Sequence, residues 1–221
     1  MVVAIDGPAG AGKSTIARSV ARRAHLLYIN SGNFYRAITL VALDAGTDPS
    51  DQAAVLEVAR AASVEIVSGR IRLNGKDVEE ALHTDRVDRW VAQHSAIPEV
   101  RAIVNSRLRE AVRGLDVIVE GRDIGTAVFP DAEIKIYLDA SIRMRAKRRF
   151  EQGISTLSLP DIEENIRKRD EIDKNKPVGS LKIAEDALYV DSSDLTIDEV
   201  CERVMRKIRK FRPLSSRSRF T

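Results

Sequence analysis

Apolar residues in this chain fall into short, nearly unbroken runs separated by longer stretches with helical spacing. Five runs stand out: Val2-Val3-Ala4-Ile5, Leu26-Leu27-Tyr28-Ile29, Val117-Ile118-Val119, Ile134-Lys135-Ile136-Tyr137-Leu138 and Leu188-Tyr189-Val190. Each is too short for a helix and too uniformly apolar for a half-exposed strand, so each predicts a buried strand. The spacing between them predicts helices over Ser14–Ala24, Phe34–Ala45, Gln52–Ala61, 84–95, 98–112, from Ser141 onward, over Asp161–Asn175 and over Ile197–Lys210. Their boundaries carry start and stop signals. Asn30-Ser31-Gly32 opens one helix, Gly46 stops it, and Pro98 occupies a favoured first-turn position in another. Strands alternating with helices imply a mostly parallel sheet covered on both faces.

One segment breaks this rhythm. Val64-Glu65-Ile66-Val67, Ile71-Arg72-Leu73 and Asp77-Val78 alternate apolar with polar, with Ser68-Gly69 and Asn74-Gly75 between them. Asn-Gly between alternating runs is a strong hairpin signal. A small antiparallel sheet at 64–78 therefore reads as an insertion in the α/β pattern.

Composition narrows the class without settling it. At 221 residues, with 43% hydrophobic and 31% charged residues, the chain supports one core and an inserted subdomain. A net charge of +3 suits polyanionic ligands but gives no argument for nucleic acid. A single cysteine, Cys201, allows no intrachain disulfide and suits a reducing cytoplasm. No apolar run is long enough to span a membrane, and strand-like sequence begins at Val2. The expectation is a cytoplasmic protein without a membrane partner. Trp90 is expected in the core, and His25, His83 and His94 lie outside every motif.

Candidate chemistry enters at the end of the first strand. Gly7-Pro8-Ala9-Gly10-Ala11-Gly12-Lys13-Ser14, followed by Thr15, fits G-x-x-x-x-G-K-[ST], with a strand before it and a helix behind it. Glycines let the loop wrap so that successive backbone N–H groups face phosphate oxygens, and the helix N-terminus adds partial positive charge. Lys13 would then reach the outer phosphates of a nucleoside triphosphate, and the Ser14 hydroxyl would be a ligand for its Mg²⁺. Ligands of parallel sheets bind beyond the carboxyl ends of the strands. That rule draws Asn30-Ser31, Glu120-Gly121-Arg122-Asp123 and the residues after Leu138 towards the same edge.

Which phosphate chemistry follows is decided by what accompanies the loop. Guanine recognition needs Asn-Lys-x-Asp, and Asn175-Lys176-Pro177-Val178 lacks the aspartate. A motor or helicase carries a strand ending in Asp-Glu. Small size, an insertion and scattered arginines fit a small-molecule kinase, whose reaction needs cations to screen two anions from each other. Arg169, Asp173 and Lys176 are spaced to share one helix face. Arg145, Arg148 and Arg149 share another, which on spacing alone reads equally as a solvated surface or a nucleic-acid patch.

The chain resembles the bacterial cytidylate kinases, within the nucleoside monophosphate kinases. The resemblance rests on Asp6-Gly7-Pro8-Ala9-Gly10-Ala11-Gly12-Lys13-Ser14-Thr15, on Ser31-Gly32-x-x-Tyr35-Arg36 and on Gly121-Arg122-Asp123-Ile124-Gly125-Thr126-x-Val128-Phe129-Pro130-Asp131-Ala132. Ile136-Tyr137-Leu138-Asp139-Ala140 and Arg169-Asp170 extend it. It implies an α/β fold: a five-stranded parallel P-loop kinase core, an inserted nucleoside-monophosphate-binding subdomain with a small antiparallel sheet, and a short lid. On this sequence the core is 1–30 and 113–212, the acceptor region 31–112, the lid 150–165, and 213–221 a disordered tail.

The implied reaction moves the ATP γ-phosphate to CMP or dCMP. The implied catalytic residues are Lys13, Arg122, Arg145 and Arg169, with Arg148 and Arg149 on the ATP side. Ser31, Arg36, Arg122 and Lys176 would lie near the acceptor phosphate. Arg101 and Asp123 would read cytosine, and Tyr35, Arg169 and Asp173 would hold the sugar. A monomer acting on small nucleotides, without nucleic acid, is expected. Four positions depart from the family pattern: Asn30 and Glu120 replace aspartates, Lys176 an arginine, and Ala92 a base-contacting serine. These departures leave UMP, or a non-nucleotide, as the alternative acceptor. A nucleotide- or RNA-binding protein built on the arginine-rich helix is the reading from another class.

Overall fold

A computed structural model describes residues 1–67, 69–153 and 157–211. The expected tail at 213–221, Ser68 of the first predicted hairpin turn, and 154–156 within the expected lid lie outside the described residues. The chain forms two compact units. Met1–Tyr28 and the described residues from Leu115 onward make one, and Ile29–Gly114 the other.

The first unit is built on a five-stranded parallel sheet. Its strands are β1 (Val2–Asp6), β2 (Leu27–Asn30), β6 (Val117–Glu120), β7 (Ile134–Asp139) and β8 (Leu188–Asp191), in the order β2-β6-β1-β7-β8. β1 lies in register between β6 and β7, with Ile5 beside Glu120 and Ile136. The three central strands are almost wholly buried, which explains their near-continuous apolar composition. Helices α1 (Lys13–Ala24) and α8 (Ile197–Phe211) place Ile16, Ala17, Val20, Val200, Val204 and Cys201 against Val3, Ile118, Ile136 and Leu138. Cys201 is therefore a core packing residue. Helices α6 (Ile142–Glu151) and α7 (Leu159–Asn175) pack through Ala146, Ile162 and Ile166. Each is capped by a serine, Ser141 and Ser158, whose hydroxyl accepts from a first-turn amide.

The second unit contains α2 (Ser31–Asp44), α3 (Gln52–Ala61), α4 (Asp85–His94) and α5 (Pro98–Ala111). Between α3 and α4 lies an antiparallel sheet of β3 (Val64–Val67), β4 (Arg70–Leu73) and β5 (Lys76–Asp77), in that order. Asn74 and Gly75 both have positive φ, 50° and 77°, as a two-residue hairpin turn of the primed type requires. The Asn30 side chain accepts from Gly32 N, so α2 starts at the predicted signal, and Asp51 caps α3 by accepting from Ala53 N and Ala54 N.

Two local elements escaped the sequence pattern: a 3₁₀ turn at Glu79–His83 and a π turn at Ile124–Val128. Trp90, expected in the core, is only half-buried and stacks on His94 at 6.3 Å. His94 is the buried one, with Nε2 donating to Pro49 O and Nδ1 accepting from Thr39 Oγ1, both at 3.0 Å. Burial lowers its pKa, so it is a neutral structural residue.

Candidate active site

In a parallel sheet all carboxyl ends lie on one edge, and here that edge is acidic. β1, β6, β7 and β8 end on Asp6, Glu120, Asp139 and Asp191. Each carboxylate has a local donor. Asp139 accepts from Ala140 N and from the Tyr189 hydroxyl, and Asp191 from Ser193. Asp6 accepts from Ile124 N and Gly125 N, both at 2.7 Å. Burial, reinforced by Asp123, raises the Asp6 pKa to about 6 against those two backbone bonds. Asp6 thereby anchors the start of the π turn directly behind Arg122-Asp123.

The loop from Gly7 to Gly12 leaves β1 in a conformation only glycine accepts. Gly7 has φ 151°, and a Cβ there would sit 1.9 Å from Leu138 O. Gly12, in the left-handed region at φ 93°, ends the loop and starts α1 with no side-chain cap. Uncapped first-turn amides and a left-handed glycine together make a concave array of donors, which is an anion receptor. Lys13 is buried and its Nζ donates to Pro8 O at 2.8 Å. Burial first, then Arg122, hold the Lys13 pKa well below its usual value, while Glu120 and Asp6 pull it back. Arg169 acts in the same direction as Arg122. A bound polyanion would relieve this mutual repulsion of cations.

Beside Lys13, the Ser14 hydroxyl donates to Glu120 Oε2 at 3.0 Å. Tyr28 donates to Glu120 Oε1 at 2.5 Å and lies under the Arg18 guanidinium, 5.1 Å from its ring centre. Burial and then Glu120 push the Tyr28 hydroxyl pKa up, so it stays a donor. The sequence places Glu120 at the ligand edge and as a departure from pattern, without its bonds to Ser14 and Tyr28. Its position on the last residue of an apolar run, at the ligand edge, was the available signal.

The predicted arginines divide by surroundings. Arg122 Nε donates to Asp173 Oδ2 at 3.0 Å, and Lys176 Nζ to Asp173 Oδ1 at 2.8 Å. Burial pushes the Asp173 carboxyl up, but Arg122 and Lys176 outweigh it and hold the pKa below the ordinary carboxylate value. Asp123 is buried, and Arg169 is exposed on α7. On α6, Arg148 donates to Ser192 O at 2.6 Å, to Ser192 Oγ and to Ala11 O, while Arg149 is exposed. Arg145 is buried against Asp170. Ser192 has no signal in the sequence, and Asp170 enters only through the Arg169-Asp170 string; nothing in local spacing pairs it with Arg145.

In the second unit, Ser31 is buried at the first turn of α2. Tyr35 donates to Asn105 Oδ1 at 3.2 Å and carries the Arg101 guanidinium 5.3 Å above its ring centre. Arg101 is only 6% exposed, on the buried side of α5 with Val104 and Leu108; its Nη1 donates to Ser95 O. Arg36 bonds Leu82 O and pairs with Asp88 at 2.5 Å. Ala92 is exposed on α4, and its carbonyl accepts from Ser95 Oγ. A cavity of about 450 Å³ beside β3 and α5 includes none of the predicted residues.

Among the described residues no helix is long and apolar enough to cross a membrane, and no group of three or more His, Cys, Asp or Glu is placed to hold a metal.

Comparison with known proteins adds a family. The chain is 39% identical over 218 residues to the cytidylate kinase of Bacillus licheniformis, covering 95% of this chain and 96% of that protein. It is 43% identical over 218 residues to the cytidylate kinase of Lactobacillus gasseri, at 95% and 94% coverage. Among solved structures, shikimate kinase from Acinetobacter baumannii in complex with shikimate shares the fold. It has a TM-score of 0.51 and 14% identity, with 96% of this chain and 94% of that one covered. The family profile described as cytidylate kinase matches residues 3–210, and the chain belongs to that family.

Proposed function

We propose that this protein transfers the γ-phosphate of ATP to CMP or dCMP, yielding ADP and the pyrimidine diphosphate. The observation that carries the reading is the anion receptor at Gly7–Ser14, with a buried lysine, in a chain matched to the family over 3–210. ATP is assigned to the loop from Gly7 to Thr15, with Arg148 and Arg149 of α6 on its side. The family pattern assigns Ser31, Tyr35, Arg36, Arg101, Arg122, Asp123, Arg169, Asp173 and Lys176 to the acceptor. Arginine forks suit phosphate and carboxylate geometry, and Lys176 supplies a point charge.

Magnesium fits the residues present in a limited way. Ser14 Oγ and the Glu120 carboxylate are a hard, oxygen-only pair 3.0 Å apart, and magnesium bound with a nucleotide needs few protein ligands besides phosphates and water. When bound it would neutralise phosphate charge. Ser14 is the residue proposed to hold it, with Glu120 beside it.

The chemistry asks little proton transfer of the chain. An acceptor phosphate oxygen is already nucleophilic at neutral pH. It forms a bond to the γ-phosphorus as the bond to the ADP oxygen breaks. Lys13, Arg122 and Arg169 screen the oxygens and align the two phosphates.

Ala92 gives base selection a specific expectation. An exposed methyl offers no hydrogen bond to a base, and one lost bond weakens discrimination by about 1–2 kcal/mol. ADP release measured with Mg-ATP and a panel of CMP, dCMP, UMP and AMP should be fastest with the cytosine nucleotides. The CMP-to-UMP ratio of kcat/KM should rise by about 5- to 30-fold in Ala92→Ser. Equal ratios in the two proteins would remove Ala92 from base selection, and turnover with none of the four would overturn the acceptor assignment.

A further inference from the structure

A loop that presents amides to an anion must turn its carbonyls elsewhere, and here those carbonyls are held. Pro8 O accepts from Lys13 Nζ, and Ala11 O from Arg148 Nη1 at 3.4 Å and Ser192 Oγ at 3.3 Å. Ala9 O accepts from Arg145 Nη1 at 3.2 Å. Arg145 is the most committed of these donors. Its Nε donates to Ala140 O at 2.8 Å, and its two terminal nitrogens form a fork on Asp170, at 2.9 Å to Oδ1 and 2.5 Å to Oδ2. Four of its five N–H donors are thus engaged, and the residue is 3% exposed. Its Cβ also packs where a Cβ on Gly10 would come within 3.3 Å.

We propose that Asp170 is a positioning residue for ATP. It fixes the Arg145 fork, and Arg145 in turn holds the Ala9 peptide plane so that the loop amides face the phosphates. Arg145 then acts on the loop backbone instead of reaching the nucleotide. This inference rests on the reading of Gly7–Ser14 as the ATP site. Its physical basis is that a bidentate carboxylate removes the rotational freedom a lone buried guanidinium would keep. Small displacements of a phosphate-binding loop cost far more in rate than in stability.

The test compares wild type, Asp170→Asn, Arg145→Lys and the double variant, with ATP and CMP titrated separately. Asp170→Asn keeps the shape but sets an amide NH₂ against the guanidinium. Arg145→Lys keeps the charge but loses the fork. Each should lower kcat/KM for ATP by about 10- to 100-fold while KM for CMP stays within about two-fold. The double variant should be no worse than the weaker single variant by more than about three-fold, because both act through one unit. The increase in melting temperature given by ATP alone should shrink in both. Unchanged ATP parameters, losses shared equally by ATP and CMP, or losses that multiply in the double variant would each overturn the proposal. If Asp170→Asn does not fold, Arg145→Lys carries the same test. A wild type without CMP-dependent turnover would overturn the functional reading instead, and the ATP-induced thermal shift would still decide on the loop.

Discussion

Lys13→Ala is expected to lower turnover by about 10²–10³-fold or more with the fold retained. The two halves of that expectation have separate causes. In the transition state, negative charge spreads over the transferring phosphoryl oxygens, and a buried ammonium beside the loop amides is worth far more there than in water. Stability responds differently. Burial and neighbouring cations already hold the Lys13 pKa well below its usual value, so the folded state gains little from keeping this charge. Its one donated bond, to Pro8 O, is to a carbonyl that also accepts from Ala11 N at 3.4 Å. The melting temperature should therefore move by only a few degrees, about the effect of 1 kcal/mol in a protein of this size. ADP release and thermal unfolding, measured on one preparation, check both halves. Near-normal turnover would remove the loop from the reaction.

Arg122→Ala should produce the second-largest loss, confined to the acceptor. kcat/KM for CMP is expected to fall by about 10²-fold or more, while stabilisation by ATP persists. Arg122 is tied to Asp173, so a second readout follows. The Asp173 pKa lies below the ordinary carboxylate value because Arg122 and Lys176 outweigh burial. The charged pair thus contributes fully above the ordinary carboxylate pKa, and that contribution is lost as pH falls through the lowered value. Without Arg122, burial opposes only Lys176, Asp173 protonates at a higher pH, and the acid limb of the CMP profile moves upward. An unchanged profile with unchanged CMP kinetics would separate Arg122 from the acceptor site.

Much of the fold was legible because its signals are local. Five apolar runs became the five strands, each extended by one residue at its carboxyl end where a polar residue closes the run. The Asn74-Gly75 turn and the cap at Asn30 are set by residues acting within a few positions. What escaped depends on distant partners. The π turn at Ile124–Val128 is held by Asp6, 118 residues earlier. The apolar stripe of α5 does not announce Arg101, which is buried with Val100, Val104 and Leu108 and sets its guanidinium over the ring of Tyr35. Trp90 carried the composition of a core residue but packs at a half-open surface of α4 beside His94.

The site followed the same division. The loop motif could be read directly, since its glycine backbone and its lysine and serine side chains act together within eight consecutive positions. The α6 arginines could be counted but not told apart. Arg145 is consumed by carbonyls and Asp170, Arg148 by Ser192 and the loop, and Arg149 is exposed. Spacing places all three on one helix. Only tertiary partners separate them.

The most direct measurement follows both products at once. Phosphorus NMR of the protein with Mg-ATP and CMP should show the β-phosphate resonances of ADP and CDP growing in equal amounts, with inorganic phosphate at the level of a protein-free control. Inorganic phosphate rising with ADP while CMP is left unconverted would contradict a phosphotransferase acting on cytidine monophosphate.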